Sequence, residues 1–133
     1  MAVKNPYAAY QQNSVTTKSP GELTLMLYNG CIKFINQAKV AIDDRNIEKR
    51  NEFIQKAHNI IREFMVTLNM DIAVSKDLMV MYDYINNRLT EANVKNDVVI
   101  LDEVEDLVTQ LRDTWKTVIQ TQRQKQFGAG NQA

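Results

Sequence analysis

The chain has almost no glycine or proline in the region where a sheet protein would need them. It contains four glycines and two prolines in 133 residues, and residues 31–127 contain neither. Sheet proteins place these residues at frequent turns, so the sequence argues against a β-rich fold. The natural alternative is an all-helical chain with short turns rich in Asn and Asp.

The chain has no net charge, no long apolar run and a single cysteine, and these absences exclude several classes of protein. Sixteen basic residues balance sixteen acidic ones and are scattered, which argues against a nucleic-acid partner. No apolar run approaches the roughly 20 residues of a membrane span, and the amino-terminal segment lacks the apolar block of a secretory signal. The one cysteine, Cys31, is typical of a small buried residue in a reducing compartment. We expect a cytoplasmic protein with no direct membrane insertion.

Residue sets that carry catalysis or bind metals are missing as well. The single histidine is His58, and the residue three positions before it is Gln55. Di-iron bundles need a Glu at that position, in a Glu-x-x-His pair. There is no Gly-rich phosphate loop and no Ser/His/Asp set. The acidic group within residues 102–106 suits the start of a helix, where carboxylates meet the positive end of the dipole. We therefore expect no catalytic residues, no cofactor and no metal, and a protein that is not an enzyme.

Four amphipathic segments predict an all-α, antiparallel up-down four-helix bundle. The first helix has a complete start signal, with Ser19 as cap, Pro20 at the first helical position and Glu22 in place for a capping box. The expected breaks are at residues 43–46, within 69–75 and at 93–97. Their candidate capping residues are Asp71 or Ser75 for the third helix and Asn96 or Asp97 for the fourth.

A single domain is predicted over residues 1–133. Residues 1–18 have too few apolar groups for a stable helix of their own and form a mobile arm that contains Tyr7 and Tyr10. The bundle occupies residues 19–126, and residues 127–133 form a flexible tail.

The first helix carries two apolar stripes, whereas a bundle helix normally buries only one. At about 100° per residue, one face holds Leu23, Leu27, Phe34, Ala38 and Ala41, with Gly30 and Cys31. The other face holds Leu25, Tyr28, Ile32, Ile35 and Ile42. On the third helix, Val80 and Tyr84 lie together outside the core stripe. If the first and third helices flank a shared groove, its lining is Leu25, Tyr28, Ile32, Ile35, Val80 and Tyr84.

Such a groove would suit a long amphipathic partner rather than a small ligand. Burial of six large side chains gives about 10 kcal/mol gross, against an association cost of about 4–15 kcal/mol. Two alternatives remain open: the stripe is buried within the bundle, or it pairs with a second copy in a homo-oligomerisation or scaffold module. A third fate is that Tyr7 and Tyr10 fold over the groove when no partner is bound.

Several motifs resemble those of a known family. The most specific are YxxY at 7–10, SPxEL at 19–23 and MLYxG at 26–30. The match continues through IQKAHNIIREF (54–64), LMVMYDYINNRLTEAN (78–93) and LRDTW (111–115). Together they resemble the flagellin-specific export chaperones of bacterial flagella, the FliS family, over nearly the whole chain.

This resemblance implies a cytoplasmic chaperone whose partner is flagellin. In the family, the disordered C-terminal segment of the client folds into helices as it wraps the chaperone's apolar surface, which prevents premature polymerisation. The family also delivers its cargo to the export gate of the flagellar type III apparatus, a second expected partner. Tyr7 and Tyr10 match the arm that covers the groove of the free chaperone, and the helix from Ser19 matches one groove wall.

Overall fold

The computed structural model describes the backbone of residues 19–132 and the side chains of residues 19–124. It contains four α-helices in this range: α1 (Pro20–Asp43), α2 (Ile47–Thr67), α3 (Val74–Lys95) and α4 (Val98–Gln132). The predicted arm over residues 1–18, including the predicted cap residues Tyr7 and Tyr10, lies outside the described residues.

Side-chain caps start three of the helices. Ser19 caps α1 by accepting a hydrogen bond from the Glu22 amide at 3.2 Å, with proline in the first turn. Asn46 caps α2 through the Lys49 amide at 3.0 Å. Asp97 accepts from the Val99 amide at 2.8 Å at the start of α4. These local hydrogen bonds satisfy amides that have no partner inside the helix, and they confirm the predicted cap at Ser19.

The predicted caps of α3 were wrong. The residue at the N-cap position is Ala73, which makes no side-chain capping bond. Ser75 lies inside the helix, where it is buried and its hydroxyl donates to the Asn69 carbonyl oxygen. This bond joins the first turn of α3 to the connection that follows α2. It holds the start of α3 in place although no side chain caps the helix.

The four helices pack antiparallel, which confirms the predicted fold class. Each helix contacts its two neighbours in the order α1, α2, α3, α4 and back to α1, so α1 lies diagonal to α3. All four helices contribute side chains to the core. Its large side chains that are less than 2% exposed are Leu27, Ile35, Ile54, Ile60, Ile61, Ile85, Leu89, Leu101, Val104 and Val108.

The last helix is the longest, at 35 residues. The Trp115 indole donates to the Gly21 carbonyl oxygen at 2.9 Å, and Arg123 pairs with Glu22, so this part of α4 lies beside the start of α1. The helix continues past the predicted end of the bundle at residue 126, since single glycines cost about 1 kcal/mol each in a helix but need not end it. Within the described range, none of the helices has the length and apolar character that a membrane crossing requires.

Candidate functional site

The groove predicted between the first and third helices does not form. Because α1 and α3 are diagonal in the bundle, they face each other only through the core. Tyr28 is 5% exposed and Ile35 is fully buried. The Tyr28 hydroxyl reaches across the core to the Tyr82 hydroxyl of α3, at 2.7 Å. The prediction that Tyr28 and Ile35 line an open surface was therefore wrong.

Both apolar stripes of α1 contain buried residues, because this helix packs against α2 on one side and α4 on the other. Towards α2, the Cys31 thiol lies 4.0 Å from the Ala57 carbonyl oxygen. Towards α4, the Lys39 ammonium lies 2.6 Å from Asp102 and also bonds Glu105. Burial works to lower the pKa of Lys39, but the hydrogen bonds to both carboxylates outweigh it, so its pKa lies above the usual value.

Leu25 and Ile32 are the other two predicted groove residues on α1, and both are half-buried. Leu25 lines a shallow depression between α1 and residues 116–123 of α4, together with Ile119. Ile32 packs against the core and borders a separate groove on the outer side of α1. Neither residue lies with the exposed residues of α3.

Val80 and Tyr84 are the predicted groove residues that the structure leaves exposed. Val80 is 70% exposed and Tyr84 is 44% exposed, one turn apart on the outer face of α3. The Tyr84 hydroxyl donates to one oxygen of Glu103 at 2.7 Å, and Arg88 donates to the other at 2.8 Å. These two bonds lower the pKa of the Glu103 carboxyl, and the bond to Glu103 raises the pKa of Tyr84. The phenol ring is thus held at the edge of α3 that faces α4.

More exposed apolar side chains lie just before Val80 in the chain. Met70 is 47% exposed, Ile72 52% and Val74 54%, all in the connection from α2 to α3 or the first residue of α3. We call the exposed residues Met70, Ile72, Val74, Val80 and Tyr84 the α3 surface. Sequence analysis missed its first part, although Met70, Ile72 and Val74 are large apolar residues in a segment predicted as a turn.

The seam between α3 and α4 extends this surface towards the core. Leu107, Leu111 and Val118 follow Glu103 at helical spacing, so they lie on the side of α4 that faces α3. Val118 is 37% exposed, while Leu107 and Leu111 pack against the core as half-buried residues. On α3, Leu78 and Met81 are also half-buried. A partner on the α3 surface would therefore meet further apolar groups at this seam.

Cysteine and histidine are common catalytic residues, and in this structure both Cys31 and His58 are buried. Burial raises the pKa of the Cys31 thiol to about 12, which removes its thiolate at neutral pH. His58 is buried, with Nδ1 at 2.9 Å from the Asn86 amide oxygen. Among the described residues, no group of three His, Cys, Asp or Glu side chains converges as metal ligands would.

Comparison with known proteins identifies the family. A family model described as flagellar protein FliS matches residues 3–122. The flagellar secretion chaperone FliS of Bacillus subtilis (strain 168) is 55% identical over 98% of both chains. The chain belongs to the FliS family. A second family member, the flagellar secretion chaperone FliS of Vibrio cholerae, is 32% identical over 83% of this chain and 85% of its own length.

A solved structure supports the same fold. It is described as the crystal structure of a flagellar chaperone from bacteria, and it matches with a TM-score of 0.72 and 22% sequence identity. The match covers 86% of this chain and 95% of the other. At this identity the comparison supports the fold of this chain alone.

Proposed function

We propose that this FliS family member is a cytoplasmic flagellar secretion chaperone that binds the disordered C-terminal segment of flagellin. Binding prevents premature polymerisation and prepares the subunit for the flagellar type III export apparatus. Family membership confirms the prediction that the chain is not an enzyme. The observation that carries the proposal is the α3 surface, which the bundle leaves exposed beside a complete core.

The α3 surface suits an extended client. Burial of each large apolar side chain is worth roughly 1.5–3 kcal/mol, whereas association costs about 4–15 kcal/mol. Five side chains alone give little net affinity, so the client must also cover the half-buried seam between α3 and α4. A segment that folds into an amphipathic helix on this surface provides such coverage, and it spends part of its binding energy on becoming ordered.

This proposal changes the composition of the binding surface. Val80 and Tyr84 stay in it, and Met70, Ile72 and Val74 join them because they are exposed. Tyr28 and Ile35 leave it because they are core residues. Leu25 and Ile32 leave it because they lie on α1 and away from α3.

The proposed role of Tyr7 and Tyr10 is to cover the client surface in the free chaperone. In an antiparallel bundle, the start of α1 and the connection from α2 to α3 lie at the same end. Ser19 therefore lies at the same end of the bundle as Met70 and Ile72. Deletion of residues 1–12 should then increase binding of an apolar dye and strengthen flagellin binding. Unchanged values for both would contradict the cap.

Co-purification with two forms of flagellin tests the function. The full-length protein should be retained by the chaperone, and a form that lacks the C-terminal segment should be lost. Equal retention of both forms would contradict the proposal. A purified export-gate component should bind the chaperone–flagellin complex more tightly than flagellin alone if the chaperone takes part in delivery.

A homodimer is a second candidate use of the α3 surface, since an exposed apolar patch can also pair with its own copy. Sedimentation at micromolar concentration separates the two uses. A monomer that becomes a one-to-one complex with flagellin supports the chaperone. A stable dimer that flagellin does not disrupt supports the scaffold module.

A further inference from the structure

Tyr84 lies at the end of the α3 surface, where apolar side chains give way to charged ones. From Val74 to Tyr84 the helix rises by about 15 Å. One turn beyond Tyr84, Arg88 forms ion pairs with Glu91 of α3 and Glu103 of α4. Tyrosine suits this boundary because its ring is apolar and its hydroxyl is polar. The ring is therefore available to a client while the hydroxyl bonds the charged group.

Glu103 holds the hydroxyl end of Tyr84. One carboxylate oxygen accepts a hydrogen bond from the Tyr84 hydroxyl at 2.7 Å, and the other accepts from Arg88 Nε at 2.8 Å. Both oxygens are thus bonded by donors of α3 that lie one turn apart. Arg88 also bonds Glu91, so two carboxylates hold its guanidinium group. This arrangement fixes the Glu103 carboxylate against α3 and, through it, the phenol of Tyr84.

A side chain that is fixed at both ends costs a partner less to bind. The backbone of α3 holds one end of Tyr84, and Glu103 holds the other. An exposed side chain without such a bond samples several rotamers, and its ordering on binding reduces affinity. Tyrosines are also frequent among the residues that contribute most to protein–protein binding.

We propose that Glu103 is a positioning residue of the client site, which fixes the Tyr84 ring in the orientation that flagellin meets. This inference rests on the proposed function, because it assigns Glu103 a role at the same surface. Direct contact between Glu103 and the client is the alternative, since the Glu103 side chain is 40% exposed.

A double-mutant cycle separates the two roles. If Glu103 acts through Tyr84, its removal matters only while the phenol hydroxyl is present. If Glu103 contacts the client itself, its removal weakens binding with or without that hydroxyl. The substitutions of the cycle are Glu103→Ala, which removes the acceptor, and Tyr84→Phe, which removes the donor and keeps the ring.

Calorimetry of the flagellin C-terminal segment with the full-length chaperone and its variants measures the cycle. Glu103→Ala and Tyr84→Phe should each weaken binding by about threefold to tenfold, the range that the ordering of one side chain gives. The affinity of the double variant should lie within about twofold of that of the weaker single variant. Losses that multiply in the double variant would overturn the positioning role.

Two further variants of α4 serve as controls. Glu103→Gln keeps an oxygen that accepts from the phenol, so it should bind within about twofold of wild type. A loss as large as that of Glu103→Ala would assign the effect to the charge and reject the positioning role. Asp106 is an exposed carboxylate that bonds Gln110 of its own helix at 3.1 Å. Asp106→Ala should keep wild-type affinity, and a loss equal to that of Glu103→Ala would also reject the role.

Tyr84→Ala separates this inference from the proposed function, and it should weaken binding by about tenfold or more. A loss in Tyr84→Ala beside wild-type affinity in Glu103→Ala would overturn the positioning role and leave the α3 surface as the client site. Wild-type affinity in both Tyr84→Ala and Val80→Asp would reject the α3 surface, and the positioning role with it. Circular dichroism checks that each variant keeps its helix content.

Discussion

The phenol oxygens of Tyr28 and Tyr82 lie 2.7 Å apart and join the two diagonal helices α1 and α3 through the core. Phe64 of α2 packs between the two rings, with its centroid 4.5 Å from that of Tyr28 and 5.7 Å from that of Tyr82. This aromatic cluster fixes the spacing of the diagonal helices. It also explains why Tyr28 is not free to contact a client.

Substitutions at the tyrosine pair should therefore act on stability and leave client recognition intact. Tyr28→Phe and Tyr82→Phe should each lower the free energy of unfolding by about 0.5–1.5 kcal/mol, since each removes the same buried hydrogen bond. The double substitution should cost less than the sum of the two. Urea denaturation of the four proteins measures this coupling, and strictly additive losses would show that the hydroxyls do not interact.

The ion pairs of Lys39 with Asp102 and Glu105 should contribute more to stability than an exposed ion pair does. Lys39→Met should cost about 1–2 kcal/mol because it removes charge-assisted bonds between α1 and α4. Lys49→Met is the matched control, since Lys49 pairs with Glu52 on the surface, and it should cost less than about 0.5 kcal/mol. Chemical denaturation provides both values, and equal costs would contradict the role of Lys39.

His58 should make the fold less stable in mild acid. Burial lowers the pKa of its imidazole below the usual value; the hydrogen bond to Asn86 opposes this, and the charge of Arg62 adds to it. The unfolded chain then binds a proton more readily than the folded chain, so stability is full above pH of about 6.5 and falls as the pH drops below it.

Denaturation between about pH 7 and pH 5 checks this slope, a range in which few ordinary carboxyl groups titrate. His58→Gln removes the titrating group, so its stability should change less over the same range. A slope in the variant as steep as that of the wild-type protein would assign the acid sensitivity to other residues.

The sequence predicted the starts of α1 and α4 well because a capping side chain bonds a backbone amide only two or three residues away. Ser19 and Pro20 mark the start of α1, and the start of α4 depends on Asp97, whose side chain bonds an amide two residues away. At the start of α3 the same reasoning failed. There the stabilising contact joins Ser75 to the Asn69 carbonyl across the connection, and a cap search does not consider such a contact.

The candidate site was harder to predict because exposure depends on which helices become neighbours. Periodicity showed that α1 has two apolar stripes, but it could not show that Tyr28 and Ile35 of the second stripe are buried in the core. Val80 and Tyr84 were recognised since they lie outside the core stripe of their own helix. Met70 and Ile72 were missed because apolar residues in a predicted turn carry no periodic signal.

The most direct test compares the affinity of the flagellin C-terminal segment for two matched variants by calorimetry. Val80 and Val99 are 70% and 72% exposed, but Val99 lies at the start of α4, at the other end of the bundle. Val80→Asp should weaken binding at least tenfold, or about 1.4 kcal/mol, and Val99→Asp should leave it within about twofold of wild type. Equal affinities of both variants for the segment, with the fold intact, would contradict client binding at the α3 surface.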